Sequence, residues 1–134
     1  MGINSGESTH MTLFNQAIPS PKLPTYEGKT VMLIDERTIS QAEHTGLFFE
    51  AANGTKFIGS QTAGANGDVT NFQIPGNITL SFSGHDVRHI DGRQLQKTGL
   101  VPDIKIKHTI KGTREGKDEV LQKAIEYVKS IIEK

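Results

Sequence analysis

Ser40 stands in "VMLIDERTISQAEHTGLFFEAANG", residues 31 to 54, where an apolar run gives way through a polar turn to a segment with helical spacing. A hydroxyl in that place can serve in two ways. As a helix cap it accepts a hydrogen bond from a backbone N–H two or three residues on, and Glu43 occupies the position that completes a Ser-x-x-Glu capping box. As a nucleophile it needs the same geometry. At a strand-to-helix turn the side chain projects from the C-terminal edge of a sheet, and the N–H of Gln41 and the positive end of the helix dipole point into the same space, where they can stabilise an oxyanion. The local residues leave both readings open.

Few other groups could do chemistry. His44 lies one helical turn beyond Ser40 and can share its face. Yet a helical side chain at that spacing lies beside the preceding turn, not over the sheet edge where a substrate would sit, and this argues against His44 as the base. His85 and His89 fall in a strand or loop and read as solvated or core histidines; His10 belongs to the polar start and His108 to a strand end. No histidines and carboxylates have metal-ligand spacing, and the absence of cysteine excludes disulfides and thiolate sites. The loop "GANG", residues 64 to 67, lacks the Lys-Ser/Thr of a Walker loop and is too short for the dinucleotide fingerprint, so it reads as a turn beside the site. Neither a metal nor a cofactor is expected.

The elements that position these residues follow from pattern. A chain of 134 residues holds one ordinary domain. Its formal net charge of zero gives no reason to expect nucleic acid or an anionic membrane as partner. No apolar run approaches the roughly 20 residues that cross a bilayer, and the start lacks the pattern of a signal peptide. "MGINSGESTHM" is small, polar and unpatterned, and the stretch after it carries Pro19, Pro21 and Pro24, so residues 1–27 read as a leader and extended lead-in and 28–134 as the folded portion. "KTVMLID" is a buried strand. "SQAEHTGLFFEAAN" is a helix with Ala42, Phe48, Phe49 and Ala52 on one face and Asn53-Gly54 as its stop. "TKFIGS", 55 to 60, is the next strand, parallel to the first, which makes a βαβ unit. After the loop 61–69, "TNFQIP" and "NITLSFSG" flank Pro75-Gly76 as a hairpin with Ile78, Leu80 and Phe82 on one face. Residues 85–103 form a loop-rich connection with turns at Asp91-Gly92 and Pro102-Asp103, and "IKIK" a short strand. Val120, Leu121, Ala124, Ile125, Val128, Ile131 and Ile132 then mark an amphipathic helix.

Four blocks carry a family resemblance. The segment around Ser40, then "GSQTAGANG", "DGRQLQKTG" and "GLVPDI", resemble in order and spacing the C-terminal processing (tail-specific) serine proteases, the family that includes the tricorn core and the repeats of the retinoid-binding protein of the eye. The blocks cover roughly residues 26 to 107. The resemblance implies an α/β fold of the ClpP/crotonase type, with a mainly parallel sheet, helices packed on it and an antiparallel extension. It implies Ser40 as nucleophile of a serine endopeptidase acting through an acyl-enzyme on a polypeptide, the Gln41 amide as one half of the oxyanion hole, and Gly64 and Ala65 in the peptide groove.

The departures from the family pattern are equally specific. One branch uses a Ser-Lys dyad, and Ala65 stands where its lysine would be. The tricorn-like branch draws a histidine from far upstream and an acid near the last block; nothing before residue 28 resembles the histidine segment or the Gly-rich loop that gives the second oxyanion donor, and Gln96 stands at the acid's place. Gln96 can hold a histidine or a substrate by hydrogen bonds but offers no carboxylate to an imidazolium. The chain is therefore expected to be the C-terminal part of a longer protease, completed by a missing N-terminal part or another subunit and nearly inactive alone. The other class left open is a non-catalytic peptide- or ligand-binding module on the same fold. Family members act mostly outside the cytoplasm or at the cell envelope, which is the compartment the resemblance suggests.

Overall fold

The computed structural model describes residues 13–18, 20 and 24–133. The expected leader, with His10, and Pro19 and Pro21 lie outside them. In chain order the elements are β1 (Val31–Ile34), α1 (Gln41–Asn53), β2 (Lys56–Gly59), β3 (Val69–Ile74), β4 (Ile78–Ser83), β5 (Ile104–Lys105), α2 (Ile110–Arg114) and α3 (Glu119–Ile132). β1, β2 and β5 form one parallel sheet with β2 in the centre.

The two-residue period of a strand divides the core. Met32, Ile34 and Phe57 face one way and pack with Leu47 of α1 and with Val87, Leu95 and Leu100 of the long connection. Val31, Ile58 and Ile104 face the other way and meet Val120 and Ala124 of α3. Gly46 lets α1 lie close to the sheet: a Cβ there would stand 2.5 Å from Leu100 Cδ1 and 3.3 Å from Phe57 Cε1. The inward face of α1 therefore differs from the expected one. Its buried residues are Glu43 and Gly46, while Ala42, Phe49 and Ala52 are exposed. Apolar spacing misreads this helix because one inward group is a carboxylate with its own partners and the other has no side chain. The expected stop holds, with Gly54 left-handed and its N–H donating to Glu50 O at 2.9 Å.

β3 and β4 pair in antiparallel register from Val69↔Ser83 to Ile74↔Ile78, as a two-stranded sheet of their own. Phe72, Ile74, Ile78, Leu80 and Phe82 share one face and all stay exposed, with the two phenylalanine rings edge to face at 6.1 Å. α3 is likewise apolar beyond its buried Val120 and Ala124. Leu121 and Ile125, each a little under half exposed, line a shallow groove with Val31 and Leu33 beside β1, which among the described residues has a strand on one side only. Asp118 caps α3 by accepting from the Leu121 N–H, and Thr109 caps the short α2, a helix the sequence pattern does not reveal.

The turn at Asp91-Gly92 is tied to α1 by charge. His89 N–H donates to Arg93 O at 2.9 Å, Arg93 Nη2 donates to Glu50 Oε1 at 2.8 Å, and His89 Nε2 lies 2.9 Å from Glu50 Oε2. The Arg93 backbone N–H, with help from its guanidinium and from His89, holds the Asp91 carboxyl down at about 2 from an ordinary 3.8. A depressed carboxyl adds stability that is present above its unfolded value and is lost as pH falls towards its folded one. The margin of wild type over Asp91→Asn in thermal unfolding is thus expected to be constant above about pH 5 and to vanish between about pH 4 and 2. A margin that persisted below that window would remove Asp91 from the network.

Candidate active site

The turn between β1 and α1 is braced before Ser40 is reached. Asp35 N–H donates to Thr38 Oγ1 at 3.1 Å and Thr38 N–H returns to Asp35 O at 3.0 Å. The Arg37 guanidinium, donating through Nε and Nη2, holds the Asp35 carboxyl below its ordinary value. Ser60 Oγ donates to Glu36 at 2.6 Å and links the turn to the end of β2.

Ser40 follows with φ 55 and ψ −119, one of three residues other than glycine with positive φ among those described. A serine that caps a helix ordinarily sits in the extended region; this backbone is left-handed and carries strain on the order of 1–3 kcal/mol. It is kept there from outside. The Ser40 N–H is shared between Ala65 O at 3.0 Å and Glu43 Oε2 at 3.1 Å, and Ser40 O accepts from His44 N–H at 3.0 Å. Ser40 and Glu43 have the arrangement of a capping box, yet the hydroxyl makes no side-chain cap hydrogen bond of ordinary geometry. The side chain is exposed. Beside it the N–H of Gln41, the first of α1, has no acceptor among the described residues.

Glu43 is fully buried and collects four donors: Ser40 N–H, Thr62 Oγ1 at 2.5 Å, Gly64 N–H at 2.7 Å and Ala65 N–H at 3.1 Å. Thr62 in turn accepts from Leu100 N–H at 2.7 Å, which clips "GLVPDI" onto the site, and Asp103 at its end accepts from Phe57 N–H at 2.8 Å. The glycine loop is thereby saturated. Thr62 N–H goes to Leu100 O, Ala63 N–H to Thr38 O, Asn66 N–H to Gln96 Oε1 at 3.0 Å and Gly67 N–H to Asn66 Oδ1 at 2.7 Å. No backbone amide from 62 to 67 is left for a phosphate or an extended peptide. Gly64 and Ala65, expected in the peptide groove, donate their N–H groups to Glu43, Ala65 O accepts from Ser40 N–H, and neither lines the cleft at Ser40.

That cleft, of about 190 Å³, is lined by Ser40, Gln41, His44 and Asn66 among others, with Gln16 of the lead-in at its rim. His44 therefore comes closer to the space beside Ser40 than helical geometry suggested. Its Nε2 lies 2.6 Å from Gln16 Oε1 and its ring packs on Phe48. Among the described residues its imidazole makes no hydrogen bond with Ser40. His85 pairs with Asp68 at 3.4 Å, and Gln96, at the place of the family's acid, holds the glycine loop. No group of three His, Asp or Glu among the described residues is placed to hold a metal ion. Glu43, Thr62 and Asn66 act on this site without having been singled out by the sequence. Thr62 was within reach, since it is the Thr of the quoted "QTAG" block; Glu43 was visible only as half of a cap.

A strained serine thus stands at a strand-to-helix turn of a parallel sheet, beside an N–H with no acceptor among the described residues. The chain belongs to Peptidase family S41, whose sequence model matches residues 4–106. Among solved structures it is similar to a candidate peptidase of Parabacteroides merdae ATCC 43184, with TM-score 0.73 and 17% identity over 81% of this chain and 34% of that one. It is also similar to mature CPAF, with TM-score 0.61 and 26% identity over 84% of this chain and 21% of that one. The tricorn protease gives TM-score 0.63 and 22% identity over 90% and 13%. No curated protein matches the sequence. The chain thus spans about a third or less of the structures it resembles.

Proposed function

We propose that this chain carries the nucleophile half of a serine endopeptidase site that hydrolyses polypeptide through an acyl-enzyme. The backbone of Ser40 supports this reading most directly: a cap would rest in the extended region, whereas Ser40 is held at positive φ by Glu43 and Ala65 in the wall of the cleft. Ser40 Oγ attacks the scissile carbonyl and Gln41 N–H receives the oxyanion, while an imidazole from a further segment or another subunit takes the hydroxyl proton. The open side of β1, four apolar residues beside an apolar groove, supports a covering segment there. One observation favours a binding module instead: Gln96, at the place of the family's acid, offers no carboxylate and is engaged by the glycine loop.

Two measurements test the proposal. In the native assembly a fluorophosphonate is expected to label Ser40, and Ser40→Ala to abolish the label; labelling that persists in the variant removes Ser40 as nucleophile. On the 134-residue chain, Ser40→Gly is expected to raise stability by about 1 kcal/mol because glycine relieves the left-handed backbone. A plain cap would instead lose a few tenths.

A further inference from the structure

We infer that the cleft beside Ser40 is a subsite for an extended polypeptide segment, reading a carboxamide at His44 and an apolar ring at His85, and that residues 13–18 of this chain fill it in cis. The inference rests on the reading of the cleft as a polypeptide site and does not require Ser40 to react. Gln16 forms part of the cleft, where His44 Nε2–H donates to its Oε1 at 2.6 Å. Two residues earlier, the Phe14 ring meets the His85 ring edge to face, with centroids 6.4 Å apart. Residues two apart share a side in an extended chain, and Phe14 and Gln16 turn to the domain together. Leu13 turns away: it is 80% exposed, against 42% for Phe14.

The two histidines stand on different elements that border one cleft. His44 belongs to α1 and lines the cleft directly. His85, beyond β4, is tied to it twice. Its Nδ1 lies 3.4 Å from Asp68 Oδ2, and Gly67 sits so close to His85 O that a side chain there would clash; Asp68 and Gly67 both line the cleft. A segment held at both histidines therefore lies along the cleft. Side chains are what this site offers a strand, because the backbone amides from 62 to 67 are all engaged. Packing fixes the direction of the His44 ring, which lies 4.9 Å from the ring of Phe48, another residue of the cleft. A carboxamide suits that imidazole, since it carries an acceptor and a donor and meets either tautomer without bringing a charge. The lead-in is thus an internal occupant, and an incoming polypeptide has to displace it.

The test uses the capped peptide Leu-Phe-Asn-Gln-Ala-Ile, the sequence of residues 13–18, and the 134-residue chain as wild type and as the double variant Phe14→Ala, Gln16→Ala. NMR of the His44 and His85 imidazoles reads binding. The peptide is expected to move both sets of signals in the double variant and to bind it about tenfold more tightly than wild type, where the tethered segment competes at an effective concentration on the order of millimolar. A peptide with alanine in place of its Phe and Gln is expected to move neither. Equal affinity for the two forms of the chain overturns the inference, and so does absence of binding to both. Equal binding of the alanine peptide overturns it too, since the two side chains would then not be read. Wild type alone gives a check that no misfolded variant disturbs: through-space contacts between the Phe14 and His85 rings are expected, and their absence overturns the inference. A native assembly that takes no fluorophosphonate label refutes Ser40 as nucleophile, a failure these readouts do not share.

Discussion

Glu43→Ala is expected to cost the domain about 3–5 kcal/mol, a large part of the 5–15 kcal/mol that holds a chain of this size. The carboxylate has no exposure and serves four donors at once. Alanine leaves the Gly64 and Ala65 N–H groups and the Thr62 hydroxyl without an acceptor, each a loss of about 1–3 kcal/mol, partly relieved by any water that fills the gap. Ser40 N–H retains Ala65 O and is the least affected. Urea denaturation should show the midpoint fall with an unchanged slope, the mark of lost native interactions. Glu43→Gln keeps one oxygen in place but turns an NH2 towards donors, and an intermediate loss of about 2 kcal/mol is expected. Under the proposed function the same substitutions should lower fluorophosphonate labelling of Ser40, because the loop whose Ala65 O holds its backbone loses its own bonds to Glu43. If alanine were tolerated with little loss, Glu43 would be a cap residue and the loop would be held by something else.

That outcome bears on how much the sequence discloses. β1, β2, the hairpin and α3 are legible because their residues obey simple periods: four apolar residues for a strand covered on both faces, alternation for the hairpin, three- and four-residue spacing for α3. The turn at Asn53-Gly54 and that at Asp91-Gly92 are legible because glycine supplies the left-handed backbone there. What escapes is whatever depends on two distant segments crossing. Glu43 reads as half of a capping box three residues from Ser40, and its partners at 62, 64 and 65 become visible only when β2 is laid beside β1. The misassigned face of α1 has the same root, since a carboxylate satisfied by tertiary donors turns inward where hydropathy places it outside. The Ser40 motif is readable, but its positive φ of 55 is encoded by no pattern of residue types. Asn66 is less legible still: its engagement by Gln96 joins residues 30 apart in sequence, through a turn whose path the sequence does not dictate.

Gly64→Ala is the second substitution expected to have a large effect, about 3–4 kcal/mol, and a comparison with Gly54→Ala shows why. Both glycines are left-handed, Gly64 at φ 69 and Gly54 at φ 60, so both alanines carry the same conformational cost of about 1–2 kcal/mol. At Gly54 nothing lies within 4 Å of the new methyl group, and that is the whole loss. At Gly64 the methyl would stand 2.8 Å from the Lys97 carbonyl carbon and the Gly99 nitrogen and 2.9 Å from the Thr98 nitrogen. These are backbone atoms, so no side chain can swing away. The turn they belong to is itself fixed, with Lys97 N–H on Gly64 O at 2.6 Å and Gly99 N–H on Leu95 O at 2.6 Å. Relief must therefore break the first of these bonds or lift the loop, which adds about 1–3 kcal/mol. Lifting the loop draws Gly64 N–H off Glu43 and, through Ala65 O, loosens Ser40. Paired thermal unfolding curves should place Gly64→Ala below Gly54→Ala by several degrees. Equal losses at the two positions would mean that Gly64 is needed only for its backbone angle, and the close crossing of residues 64 and 97–99 would no longer count among the constraints that hold Ser40.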